Sequence, residues 1–301
     1  MWISARTICP GKISRRKKNR MKLICMALFL AVSVVAEPFQ MMTYNVWLGF
    51  NKKQNLEEGA KWIASQECDV LALQELKGFD SERLEAAAKK WGHPYALIFD
   101  RKGGFPQGLT SKTPIERIEQ IMPNNDPRLR GTLHCKTAGM HFFIVHFDPR
   151  NYLRRQKEAA AVADRVEVLV EGGEKVIVLG DFNAHSVADK EAMASKTPLL
   201  EKWRAKEGGA LRAFNENGEL DFSVLQSLFD AGLVDPSRNP VPTFPTRLLF
   251  GEMPAEEFAG LQQRIDFILV SPPLAGGTIR YPRDPALDQI SDHYPVVLEI
   301  E

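Results

Sequence analysis

Short apolar runs, each closed by a polar or charged residue, recur along this chain and alternate with segments of helical period. The runs fall at 39–46, 70–73, 141–145, 175–179, 265–270 and 295–300, and the helical patterns at 56–63, 81–91 and 152–170. Apolar runs of this length suit buried strands, whereas i, i+3, i+4 spacing marks one-sided helices. The second helical pattern has a plausible N-cap, and Gly172-Gly173 terminates the third. Strands and helices that alternate in this way predict a layered α/β architecture. No repeat, low-complexity tract or Ser/Gly linker interrupts residues 37–301, so one domain accounts for them. The stretch 236–254, rich in Pro, Thr and Arg, reads as a surface loop.

The first 36 residues follow another pattern. Arg6, Lys12, Arg15, Arg16, Lys17, Lys18, Arg20 and Lys22 supply eight cations and no acid, and an apolar run at 23–35 follows. Small residues close it at Val34-Val35-Ala36. A basic segment, a short apolar segment and small residues at the cut describe a signal peptide. A spanning helix needs about 20 apolar residues, more than this run holds. The reading is therefore a signal peptide over 1–36, export to the periplasm or medium, and a domain over 37–301. Met21 begins a tidier signal and is an alternative start.

Charge changes with the leader. Removing its eight cations from 39 leaves 31 against 38 acids, a net of −7 where the whole chain carries +1. An acidic mature protein lacks the broad positive field of a non-specific polyanion binder. It still permits a local basic patch; Arg128, Arg130, Arg150, Arg154 and Arg155 lie near one another in sequence and read equally as a phosphate-binding group or as solvated side chains. Cys68 and Cys135 remain after cleavage. Export permits a disulfide between them, but a buried thiol is the ordinary state for cysteines beside apolar segments.

The polar residues at the run ends carry the chemistry. They are Asn45, Gln74-Glu75, His146, Asp181-Phe182-Asn183, Asp266 and Ser291-Asp292-His293. Each alone has a plain structural explanation as a turn former, a cap or a satisfied histidine. Together they are residues that layered α/β folds gather at strand ends, where ligands bind. Glu75, Asp181, Asp266 and Asp292 are hard oxygen donors suited to Mg²⁺, Mn²⁺ or Ca²⁺ rather than zinc. Two-residue spacing in an extended segment predicts that Asp181 and Asn183 share a face, and that the adjacent Asp292 and His293 diverge. His185 reads as a solvent-exposed loop residue.

Seven motifs at these positions resemble those of the endonuclease/exonuclease/phosphatase superfamily. They are Met42-Thr43-Tyr44-Asn45-Val46, Leu73-Gln74-Glu75, Gly108-Leu109-Thr110-Ser111-Lys112-Thr113-Pro114-Ile115, Val145-His146-Phe147, Val178-Leu179-Gly180-Asp181-Phe182-Asn183, Arg264-Ile265-Asp266-Phe267-Ile268-Leu269 and Ser291-Asp292-His293-Tyr294-Pro295-Val296. That superfamily includes deoxyribonuclease I-like nucleases, apurinic endonucleases, neutral sphingomyelinases and inositol-polyphosphate 5-phosphatases. The resemblance implies an α/β (α+β) four-layer sandwich of two packed mixed β-sheets flanked by helices. It implies a divalent-metal-dependent phosphoesterase acting on nucleic acid, a phospholipid headgroup or another phosphate ester, with Mg²⁺ (or Mn²⁺ or Ca²⁺) as cofactor; a monomer is the default expectation, which no residue pattern addresses.

It also implies roles. Glu75 resembles the main metal ligand, Asp292 its partner, and Asn45 the residue that orders them with the phosphate. Asp181 and Asn183 align water or transition-state oxygens; Asp266 orients His293; His146 assists the leaving oxygen. Asp181 and His293 are both candidates for the general base. Many members carry an acid shortly after the first Asn, where this chain has Trp47 and Leu48, which puts a second metal site in question. Asp148 is the nearest acid in sequence to partner His146.

Two other classes compete. Ser291-Asp292-His293 holds the residue types of an acyl-hydrolase triad, but contiguous residues do not converge, and no Gly-x-Ser-x-Gly occurs. A non-catalytic binding module that kept the fold, or a phosphomonoesterase for a small metabolite, are the alternatives to a phosphodiesterase.

Overall fold

Alternation along a few strands decides the architecture. In β1 (Phe39–Asn45), Met41 lies in the apolar layer between two sheets, while Met42 and Tyr44 face outward. The computed structural model describes residues 38–99, 104–206 and 213–301, all within one compact unit, Glu37–Glu301. The signal-peptide expectation for 1–36 lies outside the described residues.

After β1 come α1 (Leu56–Ala64), β2 (Val70–Gln74), α2 (Ser81–Lys90), β3 (Tyr95–Phe99), β4 (Gln107–Ser111), β5 (Glu116–Ile121), β6 (Thr132–Thr137) and β7 (Met140–His146). Next follow α3 (Tyr152–Glu171), β8 (Val176–Asp181), α4 (Lys190–Ala194), α5 (Thr197–Lys206), α6 (Ser223–Asp230) and α7 (Ala255–Leu261). The order ends with β9 (Asp266–Val270), β10 (Thr278–Arg280), α8 (Leu287–Ile290) and β11 (Val296–Ile300). Nine of these elements match the expected runs to within one or two residues. Edge strands β5 (ERIEQI) and β10 and the polar β6 (TLHCKT) escaped the apolar pattern because their side chains are charged or hydroxylic.

Two mixed sheets result. One runs β10-β11-β1-β2-β4-β3 and the other β5-β6-β7-β8-β9. The pairs β1–β2 and β7–β8 are parallel and the rest antiparallel. Met41, Val70, Ala72, Leu109, Phe142, Ile144, Ile177, Leu179, Ile268 and Val296 fill the seam between the sheets. Trp62, Ile63, Leu84 and Ala88, from α1 and α2, cover the outer face of the first sheet. Ala159, Val162 and Val166 of α3 and Leu225 and Leu228 of α6 cover that of the second. This is the expected four-layer sandwich. Burial of both faces explains why the central strands read as continuous apolar runs.

Local chemistry sets the helix ends. Asp80 accepts the Arg83 amide at 2.8 Å and Asn151 the Arg154 amide at 3.2 Å, each as an N-cap. Cys68 and Cys135 are free, buried thiols in different apolar clusters, so the disulfide option is not realised. No helix among the described residues is long and apolar enough to cross a membrane.

Candidate active site

The alternation that builds the seam also delivers the polar residues. Asn45 continues the inward series of Met41 and Thr43; His146 continues Phe142 and Ile144; Asp181 continues Ile177 and Leu179; Asp266 precedes Ile268 and Val270. Each lies where the seam's apolar filling stops. Register then makes neighbours of them, with His146 opposite Asp181 and Asp181 opposite Asp266. Gly180 makes the last step possible: its φ is +144°, and a Cβ there would lie 2.0 Å from the Val145 carbonyl oxygen.

Asp181 is the hub. Its Oδ2 accepts from Asn45 Nδ2 at 3.1 Å, across from the other sheet, and lies 3.6 Å from His146 Nε2 and 3.9 Å from His293 Nε2. Its Oδ1 accepts the Asn183 amide at 2.9 Å. Burial raises its pKa from 3.8 to about 7, with Asp266 and Glu75 adding to the rise and His293 opposing it.

His293 donates from Nδ1 to Asp266 Oδ2 at 2.9 Å, which leaves Nε2 facing Asp181 and Asp292, each 3.9 Å away. Burial alone disfavours an imidazolium, but Asp266, Asp181 and Asp292 prevail and push its pKa from 6.5 up to about 10. His146 is the opposite case. Burial first, then Arg130 and His293, drive it well below 6.5, and its Nδ1 is buried without a hydrogen-bond partner among the described residues. Asp148 does not reach it: its carboxylate accepts the Arg150 and Asn151 amides at 2.8 Å and pairs with Arg154 at 3.2 Å.

Glu75 stands just past β2 with a left-handed backbone (φ +59°). Its Oε1 is 3.7 Å from His146 Nε2, and its Oε2 accepts the Leu48 amide at 3.1 Å. Trp47, Leu48, Phe50, Asn51, Lys52 and Lys53 all have positive φ, a strained run of the kind that persists at functional sites. Buried Phe50, packed near Phe79 and Trp91, anchors this loop. Thus, where the resemblance places an acid, this chain presents a backbone amide to Glu75.

Asp292 supplies the observation that bears on a metal. Its Oδ1 is buried and accepts no hydrogen bond among the described residues; His293 Nε2 lies 3.9 Å away. Burial lifts its pKa from 3.8 to about 6, with Glu75 and Asp266 contributing and His293 opposing. A partnerless buried carboxylate oxygen beside a second carboxylate fits a hard cation. Asp181, Asp266 and His293 also place one donor atom each within 4.8 Å of one another. In that trio, however, the His293 Nδ1–Asp266 bond already commits two donors to each other.

Three expectations need correction. Asp292 and His293 do not diverge: β11 begins only at Val296, so strand alternation does not govern them. Asn183 is not in extended backbone; its φ is +47° and its Nδ2 donates to the Phe147 carbonyl at 3.1 Å. His185 is buried and hydrogen-bonds Gln263 at 2.9 Å, because the chain turns inward after Asn183.

The 236–254 stretch is more than a surface loop. Thr243 Oγ1 accepts the Ile265 and Asp266 amides at 3.1 Å, and its carbonyl accepts the Tyr294 amide at 2.7 Å. Thr246 donates its amide to the Asp292 carbonyl at 2.8 Å and its hydroxyl to that of Ser291 at 2.6 Å. Phe244 packs on His293, ring centroids 4.8 Å apart. These positioning residues were missed; the signal was Pro-Thr-Phe-Pro-Thr, two hydroxyls spaced between prolines. Of the arginines, Arg128 pairs with Asp126 on the surface, Arg154 with Asp148, and Arg155 is buried with Nη1 on the Asp148 carbonyl.

A two-sheet sandwich with carboxylates and an Asp-oriented histidine at one end of its seam defines the deoxyribonuclease I-like class, whose enzymes hydrolyse phosphoester bonds. The Endonuclease/Exonuclease/phosphatase family model matches residues 42–293, and the chain belongs to that family. Among solved structures, it is similar to an AP endonuclease from Archaeoglobus fulgidus (19% identity, 87% of this chain and 99% of that one, TM-score 0.65). It is also similar to a 3′ phosphatase from Neisseria bound to a product DNA hairpin (22% identity, 87% and 99%, TM-score 0.66). A 3′-5′ exonuclease from Neisseria meningitidis gives 22% identity, 87% and 100% coverage, and a TM-score of 0.65. At these identities the likeness is one of fold. No curated protein matches the chain in sequence.

Proposed function

We propose that this chain is an exported, divalent-metal-dependent phosphoesterase that cleaves phosphate esters of nucleic acid by attack of water. The observation that carries the reading is the bare, buried Oδ1 of Asp292 beside the Asp266–His293 pair. Glu75 and Asp292 would hold the metal, with Asn45 bracing the adjoining Asp181. When bound, a Mg²⁺ or Mn²⁺ ion supplies positive charge against the phosphate oxygens.

The protein's own groups divide the remaining work. A carboxyl with a pKa of about 7 is matched to proton transfer near neutral pH, which makes Asp181 the general base. His293, raised to about 10, stays an imidazolium and stabilises negative charge on the phosphate through Nε2. Asp266 holds that ring in position, and Thr243 holds Asp266 through its backbone amide. His146 is neutral and offers a hydrogen bond from Nε2 toward the cleft. Nucleic acid is favoured because the DNA-bound 3′ phosphatase and the AP endonuclease share this fold. Export rests on the leader at 1–36, and cleavage after Ala36 is checked by N-terminal sequencing of protein recovered from the medium or periplasm.

The test is a panel of plasmid DNA, RNA, a 3′-phosphorylated oligonucleotide, sphingomyelin and bis-p-nitrophenyl phosphate, with Mg²⁺ or Mn²⁺ and then EDTA. EDTA-sensitive release from a nucleic acid supports the proposal. Turnover of sphingomyelin alone moves the substrate to lipid headgroups. Absence of turnover with every metal sinks the enzyme reading in favour of a binding module.

A further inference from the structure

Phe105 and Arg130 stand beside the carboxylate–histidine cluster without belonging to it. The Phe105 ring meets His146 edge-on, centroids 5.8 Å apart and planes at 89°. Arg130 lays its guanidinium on the same ring, Cζ 3.7 Å from the centroid, and Lys77 Nζ lies 5.8 Å from that centroid. The Arg130 main chain is firmly held. Its amide donates to the buried Glu158 carboxylate, and Gly131 follows at φ +76°, where a Cβ would come within 2.9 Å of the Ile121 carbonyl oxygen. Gln107 Nε2 donates to the Gly131 carbonyl at 2.6 Å.

The side chain, in contrast, has spare capacity. Arg130 Nη1 is buried and without a hydrogen-bond partner among the described residues. A guanidinium carries five donors, and buried donors are ordinarily paired. The carboxylates whose charge it feels include Glu75 and Asp181, so the fork lies within the field of the catalytic cluster. A cation with an unused donor beside a site proposed to bind phosphate has one obvious ligand chemistry. Stacking on Phe105 fixes the orientation of the planar guanidinium and keeps it partly dry, which strengthens an ionic hydrogen bond.

We propose that Arg130, splinted on Phe105, grips the substrate's phosphate from the His146 side of the cleft. The proposal rests on the phosphoesterase reading. It makes the planar, forked shape essential, because a lysine offers a point charge that neither stacks flat on the ring nor presents two coplanar donors in a fixed fork.

The experiment compares the full chain with R130A, R130K and F105L. It measures inorganic phosphate affinity by calorimetry with Mg²⁺ present, kcat and KM on bis-p-nitrophenyl phosphate, and thermal melting. Loss of one ionic hydrogen-bonding group predicts phosphate affinity weaker by about 10- to 100-fold in R130A and nearly as much in R130K. F105L loses a smaller factor. Added guanidinium chloride at millimolar concentration restores turnover to R130A and not to R130K, an outcome that a purely structural role would not give. Melting of R130K at the wild-type temperature separates lost affinity from lost folding. Phosphate affinity in R130A and R130K equal to that of an active wild type overturns the proposal alone. A wild type that neither binds phosphate nor turns over overturns the phosphoesterase reading, and this proposal with it.

Discussion

His293 and His146 flank one carboxylate, Asp181, at 3.9 and 3.6 Å, and yet their environments drive them in opposite directions. Both are buried. His293 has Asp266 at 2.9 Å on Nδ1, which favours the imidazolium; His146 has an Nδ1 with no partner among the described residues and a neighbouring arginine, which favour the neutral ring. The lesson is that the partner on the far nitrogen, not burial, decides what a histidine at this site can do. One side of Asp181 carries fixed positive charge, and the other carries a neutral donor under a stacked arginine.

Under the proposed function, the largest effect should come from stripping the metal that Glu75 and Asp292 would hold. EDTA is expected to reduce turnover to background, and excess Mg²⁺ or Mn²⁺ to restore it. Next, Asp266→Asn should make His293 resemble His146. A drop in kcat of about 10³-fold or more, with KM little changed, is expected from the loss of its orienting charge. A kcat within a factor of ten of wild type would mean that Asp266 is only structural.

Gly180→Ala should damage both sides at once, because the added Cβ would meet the Val145 carbonyl at 2.0 Å and displace Asp181. A loss of about 3 kcal/mol or more in denaturant unfolding is expected. A mild effect would show that β7 and β8 can part without cost. His146→Ala should be gentler, about 10-fold in kcat, since a neutral hydrogen-bond donor is lost rather than a charge.

Stability against pH isolates the charge on His293. His293 has a folded pKa of about 10 against 6.5, so its contribution is full below pH 6.5 and is lost as pH rises through 10. Metal-free protein should therefore melt at progressively lower temperature from pH 7 to 10, and His293→Gln should flatten that slope. His146, depressed by its surroundings, contributes no such slope in this window. Equal slopes with and without His293 would contradict the charge assignment.

Much of this was legible beforehand, for an identifiable reason. Asn45, His146, Asp181 and Asp266 each sit in phase with the apolar residues that fill the seam, and a two-residue period is readable from a single strand. The ends of buried runs were therefore found to within one or two residues. Misreadings began where regular backbone stopped. Asn183 turns left-handed, Asp292 and His293 precede β11 rather than occupy it, and His185 is folded inward onto Gln263. Alternation makes no statement about any of them.

What the amino-acid sequence determined by itself, then, is the set of strands, the faces of their residues, and the polar side chains at their ends. Local sterics and the partition of apolar groups from water act over a few residues and are written into adjacent positions. Only the tertiary structure decided which ends meet. It set Asn45 of one sheet against Asp181 of the other, ran Thr243 and Thr246 past the backbone of Asp266 and Asp292, and laid Arg130 on Phe105 beside His146. Those contacts join residues from 23 to 136 positions apart, since Asp266 lies 23 beyond Thr243 and Asp181 136 beyond Asn45. They depend on sheet register and packing, which no short window of sequence encodes.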